Sequence, residues 1–159
     1  GDDETWSPVI NLGVPVLIPE TYVEDLDVRL SLYRRLSDLA SKEELMAFGA
    51  ELHDRFGKPP AEVETLLRVV QIKAMCRRAG IAKLDGGPKG GTLQFHRDQF
   101  ANPAGLVRFL SDDKSRAKMR PDHKLVVRRN WETAEARVKG AYALTRDLAK
   151  IAEAEAEAA

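Results

Sequence analysis

The segment from Ser41 to Pro60 constrains the fold more than any other part of the chain. Ser41 and Glu44 have the spacing of a capping box, in which each side chain bonds a free backbone amide at a helix start. The helix that follows places its apolar residues on one face, namely Leu45, Phe48, Leu52 and Phe56. Gly57 is predicted to end the helix in the left-handed conformation. The chain must therefore build a core against this helix.

Two further helices are predicted beside this one. After Pro19, apolar residues recur at helical spacing and predict a buried stripe of Leu26, Leu30, Tyr33 and Leu36. A third helix is predicted from about Ala61 to Ala79, closed by Gly80. Upstream of them, the apolar run from Val9 to Ile18 is predicted to be extended. Pro15 makes this run an edge strand or breaks it, because proline cannot donate to a ladder.

Short strands are predicted in the second half of the chain. Ile81–Leu84 and Thr92–Phe95 are predicted to pair as a hairpin around a long, glycine-rich turn. A third strand is predicted over Lys124–Arg129. The segment from Ser111 to Asp122, which precedes it, is predicted to be a charged loop.

Two helices with asparagine caps complete the second half. One is predicted from Asn102 through Leu110, and the other begins after Asn130 and ends at about Ala152. Helices first, then mixed strands and helices, are typical of the α+β class. The sequence therefore predicts a small, largely antiparallel sheet packed with about five helices.

The length of 159 residues is that of one domain, which needs no disulfide or metal to hold a core. Residues 9–152 are predicted to form it, with 1–8 as an acidic linker and 153–159 as a fraying tail. Gly1, in place of a start methionine, leads us to expect a piece of a longer protein. Cys76 is predicted to be a buried structural thiol in a reducing cytosol. No apolar run approaches the ~18 residues of a membrane helix, so we expect a cytoplasmic protein.

The charges balance overall but not along the chain. The 25 basic and 25 acidic residues give a formal net charge of zero, which argues against a protein that coats nucleic acid. Residues 1–80 carry a net charge of −4 and residues 81–159 a net charge of +4. Opposite surfaces of the protein are therefore expected to meet different partners.

No group of residues predicts catalysis, a metal or a cofactor. His53, His96 and His123 are far apart in the sequence, and no zinc-binding spacing occurs. The glycine-rich segment Gly86–Thr92 lacks a lysine directly before a serine or threonine and precedes a strand, unlike a phosphate-binding loop. A hairpin turn explains its glycines.

A basic stretch offers one candidate interaction site. Seven basic residues fall between Lys114 and Arg129, against one acidic residue, Asp122. Five of them are candidates for contact with nucleic acid phosphates: Lys114, Arg116, Lys118, Arg128 and Arg129. No aromatic residues are interleaved for base stacking. We therefore favour a solvated or protein-facing surface here and keep nucleic acid binding as the alternative.

The second helix offers a sharper candidate. Glu51, Asp54 and Arg55 lie at i, i+3 and i+4, roughly 110° round the helix from its apolar stripe. All three can therefore face one partner. The other interpretation is an intrahelical Glu51–Arg55 pair on a wet surface, which contributes only ~0.3–0.5 kcal/mol.

Five segments of the chain resemble the C-terminal (TRCF) domain of the bacterial transcription-repair coupling factors, known as Mfd. These segments are Asn11–Gly13, Leu17–Val23, Arg29–Leu36, Glu51–Pro60 and Gly80–Asp85. The resemblance runs from about Val9 to Tyr142. The block from Glu51 to Pro60 is its most specific part, and the segment from Ser111 to Asp122 is the least family-like.

The resemblance implies a domain without catalysis of its own. Full-length members of this family are ATP-dependent DNA translocases whose motor domains, lying before this domain, use ATP and magnesium. They displace RNA polymerase stalled at a lesion and recruit the excision-repair protein UvrA. The C-terminal domain packs against the N-terminal UvrB-like module and masks the surface that UvrA binds. Glu51, Asp54 and Arg55 match the charged contacts of that inhibitory interface.

Overall fold

A computed structural model of the chain describes residues 6–158, with side chains through Ala154. Within that range it contains five α-helices and five β-strands, which confirms the α+β prediction. The residues divide into two compact units. We call Pro15–Ala74 the helical unit and the described residues before and after it the sheet unit. No helix between residues 6 and 158 is long and apolar enough to cross a membrane.

The helical unit contains α1 (Leu26–Ser37), α2 (Lys42–Phe56) and the first part of α3 (Ala61–Ala79). Its core joins these helices to the segment that precedes α1. The buried residues of this core are Ile18, Val23, Leu32, Leu36, Leu45, Phe48, Leu52 and Val63. The predicted apolar face of α2 is thus confirmed, with Phe56 half-buried at its edge.

The stripe predicted for α1 is wrong at two positions. Leu26 and Leu30 remain 59% and 46% exposed, whereas Leu32 and Leu36 are 1% and 3% exposed. Both sets of leucines have helical spacing, so the sequence pattern alone does not distinguish them. The tertiary packing selects Leu32 and Leu36, which join the core that contains the apolar face of α2.

The predicted ends of α2 are largely confirmed. The Ser41 side chain accepts from the Glu44 amide, and the Glu44 carboxylate accepts from the Ser41 amide, so the capping box is present. Gly57 follows the helix with φ of 88° and ψ of −173°, and its amide donates to the His53 carbonyl. Its φ is positive as predicted, but its ψ is extended, so the left-handed cap is not formed.

The sheet unit is built on five strands in the spatial order β1-β2-β3-β5-β4. They are β1 (Val9–Asn11), β2 (Ile81–Gly87), β3 (Gly90–Phe95), β4 (Ala117–Met119) and β5 (Lys124–Arg128). The short β1 is parallel to β2, and all other pairs are antiparallel. The prediction of an edge strand before Pro15 is therefore confirmed.

Two predictions about the strands need correction. The hairpin turn is short, because β2 and β3 extend through the glycines and leave only Pro88 and Lys89 between them. Gly90 has φ of 130°, and a Cβ there would overlap the Val127 carbonyl, so this approach of two strands requires glycine. Strand β4 lies inside the segment that was predicted to be a loop. Three residues are too few for a periodic signal.

Two helices complete the sheet unit. Asn102 caps α4 (Pro103–Ser111), as predicted, by accepting from the Gly105 amide at 2.9 Å. The last helix, α5 (Ala134–Ala158), is capped by Thr133, whose Oγ1 accepts from the Ala136 amide at 3.0 Å.

Asn130 was therefore the wrong cap for α5. The packing of Trp131 explains the later start of the helix. Trp131 lies before the helix, is 3% exposed, and its ring packs so closely on Gly140 that a Cβ there would overlap it. The helix also continues beyond its predicted end at Ala152. The fraying of residues 153–159 stays a prediction.

The residues predicted as a linker are partly described. Trp6 stacks on His96, with 4.6 Å between the ring centroids, and Pro8 is buried. The chain thus already packs within the sheet unit before β1 begins. Residues 1–5 of the predicted linker lie outside the described residues.

Candidate protein interface

The candidate site on α2 contains a three-membered ion-pair network. Glu51 accepts two hydrogen bonds from Arg35 on α1, both at 2.7 Å, and one from Arg55 at 2.8 Å. The Arg35 contact is bidentate, which fixes the geometry of both groups. These hydrogen bonds, from Arg35 first and Arg55 second, lower the pKa of Glu51 to about 2. Glu51 therefore keeps its charge well below the pH at which a free glutamate is protonated.

Aromatic rings support both arginines. The Arg35 guanidinium carbon lies 5.0 Å from the centroid of Phe48, and that of Arg55 lies 4.8 Å from the centroid of Phe56. Both distances are within the range of cation–π attraction. The apolar face that packs into the core thus also orients the charged surface above it.

Asp54 stands apart from this network. Its side chain is exposed and has no ion-pair or hydrogen-bond partner among residues 6–154, whose side chains the structure describes. Of the three residues predicted from spacing, Glu51 and Arg55 therefore form an ion pair, whereas the Asp54 carboxylate remains unpaired. The intrahelical Glu51–Arg55 pair is present, and a shared partner surface for all three residues stays a prediction.

Arg35 is the member of this network that the spacing argument missed. It lies on a different helix from Glu51, so no pattern within α2 could reveal it. The one available signal was its position in the family-like segment Arg29–Leu36.

Tyr22 anchors the end of α2 that carries the site. Its hydroxyl lies 2.7 Å from the Gly57 carbonyl oxygen and 3.1 Å from that of Leu52, and it donates to this pair of acceptors. Its ring contacts Phe56 with 5.8 Å between centroids. Burial raises the pKa of Tyr22, so this donor is retained at all ordinary pH values.

The three charged side chains of the network remain partly exposed and keep unused hydrogen-bond donors. Glu51, Arg35 and Arg55 keep 34%, 45% and 43% of their side-chain surface exposed. A guanidinium has five N–H donors, and Glu51 engages two of Arg35 and one of Arg55. Such exposed pairs add only ~0.2–1 kcal/mol each to stability. Their arrangement is therefore better suited to recognition than to holding the fold.

The basic residues proposed from sequence are neighbours in the fold, since the Arg128 amide donates to the Arg116 carbonyl at 3.0 Å, but not all of them are exposed. Lys118 and Arg128 lie on β4 and β5, whereas Lys114 lies in a short 3-10 segment and Arg116 follows it in the left-handed conformation. Arg129 is turned inward and donates to the Ser115 carbonyl. Burial is the main cause of its lowered pKa.

Burial raises the pKa of Cys76 to about 12 and keeps it a thiol, as predicted for a structural cysteine. Among the residues that the structure describes, no three His, Cys, Asp or Glu side chains are grouped to hold a metal ion.

Comparison with known proteins gives consistent matches. The family model of the TRCF domain matches residues 12–106. The transcription-repair-coupling factor of Rickettsia bellii is 39% identical over 125 residues, which are 78% of this chain and 11% of that protein. The factor of Escherichia coli is 36% identical over 101 residues, 64% of this chain and 9% of that protein. The chain thus spans about a tenth of the length of these curated relatives.

The fold resembles that of a solved structure over almost the whole chain. It is the crystal structure of a C-terminal domain of transcription-repair coupling factor, with a TM-score of 0.79 and 19% sequence identity. The match covers 94% of this chain and 96% of that one. The two chains share a fold.

Proposed function

This chain belongs to the TRCF domain family, and from that premise we propose that it is the non-catalytic regulatory domain of a transcription-repair coupling factor. In the full-length protein, the charged face of α2 packs on the N-terminal UvrB-like module and covers the surface that UvrA binds. The parent is a cytoplasmic, ATP-dependent DNA translocase that displaces stalled RNA polymerase. The observation that carries this proposal is the Arg35–Glu51–Arg55 network with the free Asp54 beside it.

The network supports the proposal because it is already ordered before a partner arrives. Binding normally costs ~0.5–1.5 kcal/mol for each long side chain that becomes immobile. Arg35 and Arg55 are held by Glu51 and by the rings of Phe48 and Phe56, so much of that cost is already met. Arginines with unused donors are also favoured at interfaces.

The mixed charge of the face defines the partner surface. The unused donors of Arg35 and Arg55 require carboxylates or carbonyl groups opposite them, and Asp54 requires a cation. Two surfaces that carry complementary patterns of positive and negative groups bind specifically, because any displaced alignment brings like charges together. We therefore expect a polar and specific interface, which is also easily reversed.

A weak interface suffices for inhibition when both parts belong to one protein. A flexible tether gives an effective concentration on the order of mM, so a contact with a dissociation constant near 10 μM is closed about 99% of the time. Masking then lowers the apparent affinity for UvrA by about 100-fold. A few kcal/mol of competing contacts with DNA and polymerase open the interface.

The decisive test measures UvrA binding to the full-length protein. The variant Glu51→Ala/Asp54→Ala/Arg55→Ala should bind UvrA between about tenfold and 100-fold more tightly than the parent. The melting temperature of the isolated domain should fall by only a few degrees, because the lost ion pairs contribute ~0.2–1 kcal/mol each.

Arg34→Ala is a matched control for the same assay. Arg34 is exposed and adjacent to Arg35, but it points about 100° away around α1. It should leave UvrA binding unchanged. The proposal fails if the triple variant binds UvrA no better than the parent.

A further inference from the structure

One face of the sheet is open to solvent. The opposite face packs into the core, with Leu84, Leu93, Leu125 and Val127 at most 1% exposed. The strand register places the alternate residues together on the second face, and none of them is buried. We call this set the open face: Val9, Asn11, Lys83, Asp85, Thr92, Gln94, Lys118, Lys124, Val126 and Arg128.

The open face is positively charged. Its only carboxylate, Asp85, accepts from Asn11 at 3.0 Å and lies 3.7 Å from Lys83 Nζ. The other three cations, Lys118, Lys124 and Arg128, have no ion-pair partner within the part of the chain that the structure describes. Since the whole chain has no net charge, this excess is a local feature.

The three unpaired cations form a regular array. Lys118 on β4 is directly opposite Val126 on β5, and Lys124 and Arg128 lie two residues to either side of Val126. Diagonal neighbours on adjacent strands are ~7–8 Å apart. This spacing is comparable with the separation of successive phosphates along one nucleic acid strand.

A hollow adjoins this array at the end of the β2–β3 hairpin. It has a volume of about 380 Å³ and lies between the glycines of the hairpin and residues 126–128. Lys89 and Arg128 are the charged residues among its walls, and Thr92 adds a hydroxyl group. Because Gly87 has no side chain and no atom lies within 4 Å of the position that a Cβ would take, a phosphate group can approach the backbone there.

The composition of the face favours phosphate over a protein partner. Protein interfaces depend on a central apolar or aromatic anchor, whereas the open face has only Val126 near its centre. Lysine, arginine, threonine, glutamine and asparagine are the residue types that contact phosphate and sugar. The face has no aromatic residue on which an unpaired base could stack, so a duplex fits better than a single strand.

We propose that the open face binds the phosphate backbone of double-stranded nucleic acid without reading its sequence. The contacting cations are Lys118, Lys124 and Arg128, with Lys89 at the hollow. This set keeps two of the residues that the sequence indicated and replaces the inward-turned Arg129. The site lies in the sheet unit and uses no residue of the α2 interface.

The test is binding of a fluorescent DNA duplex to this chain, followed by anisotropy at several salt concentrations from about 20 to 200 mM. With three or four phosphate contacts, the logarithm of the binding constant should fall with the logarithm of salt concentration with a slope of roughly −3. Lys118→Gln/Arg128→Gln should weaken binding at low salt by at least about tenfold and reduce that slope by about 2.

Lys139→Gln/Lys150→Gln is the matched control, because it removes two exposed lysines of α5 and changes the net charge equally. It should bind the duplex like the parent. Equal weakening by both variants, or no binding at the lowest salt, overturns the proposal. So does an acidic polypeptide that binds more tightly than the duplex and depends on the same two residues, since that result assigns the face to a protein partner.

Discussion

The helical unit and the sheet unit present their charged surfaces in different ways. On the helical unit, Glu51 and two arginines hold one another in place above aromatic rings. On the sheet unit, Lys118, Lys124 and Arg128 of the open face are placed by strand register, and no carboxylate among the described residues pairs with them. The first surface is organised by side chains, and the second by the backbone.

This difference predicts different sensitivities. A surface made by a few interlocked side chains should respond to single substitutions and to pH, while the fold beneath it is hardly affected. A surface made by register should instead depend on the glycines and packed residues that place the backbone.

The largest effect should come from the core beneath the helical surface. Leu32→Ala should lower the free energy of unfolding by about 2–5 kcal/mol, because it leaves a cavity at a fully buried position. Leu30→Ala on the same helix should change it by less than about 0.5 kcal/mol, since Leu30 is 46% exposed. Urea denaturation of both variants measures this. An equal loss of unfolding free energy in the two variants would instead support the apolar stripe predicted from the sequence.

Replacing a helical glycine by alanine should have a smaller effect on stability, and one of opposite sign in the two units. A Cβ at Gly140 in α5 would overlap the Trp131 ring, so Gly140→Ala should destabilise the protein by about 1–3 kcal/mol. At Gly49 in α2 the nearest atom is Leu67 Cδ1 at 3.7 Å. Gly49→Ala should therefore stabilise the protein by about 0.5–1 kcal/mol through helix propensity. Thermal denaturation measures both variants, and a shift of the two melting temperatures in the same direction would contradict this prediction.

The smallest effect should be the acid sensitivity of the α2 network. The pKa of Glu51 is lowered from its ordinary 4.5 to about 2 in the folded state. Its stabilising contribution is therefore complete above pH 4.5 and is lost as the pH falls toward 2. Between these limits the parent should lose up to about 1 kcal/mol more than Glu51→Gln, a modest value because the site is exposed.

Urea titrations of both proteins at about pH 6 and pH 2.5 measure this difference. Other carboxylates, including Glu44 with its own lowered pKa, titrate equally in the two proteins and cancel. A parallel loss in both would show that the network contributes nothing to stability.

The sequence predicted most local features correctly. The Ser41–Glu44 capping box, the asparagine cap at Asn102 and the apolar face of α2 all depend on residues within one or two turns. The strand predicted at Lys124–Arg129 is also present, ending one residue earlier as β5. Such features form from neighbours along the chain, so their signals are contained in short windows.

The candidate interface could be predicted only in part. Spacing on one helix brought Glu51 and Arg55 together, and the structure contains that pair. It could not reveal Arg35, because this partner reaches Glu51 from another helix. The resemblance supplied the functional interpretation, which composition and spacing left open.

The fold class, the helix start at Ser41 and the family of this chain could all be established from the amino-acid sequence. Long-range packing was needed to establish that Leu32 rather than Leu30 enters the core, that Thr133 rather than Asn130 caps α5, and that basic residues share the open face. In each of these cases the sequence allowed several local solutions of similar energy. Burial of apolar surface and strand hydrogen bonds with residues far away along the chain selected one of these local structures.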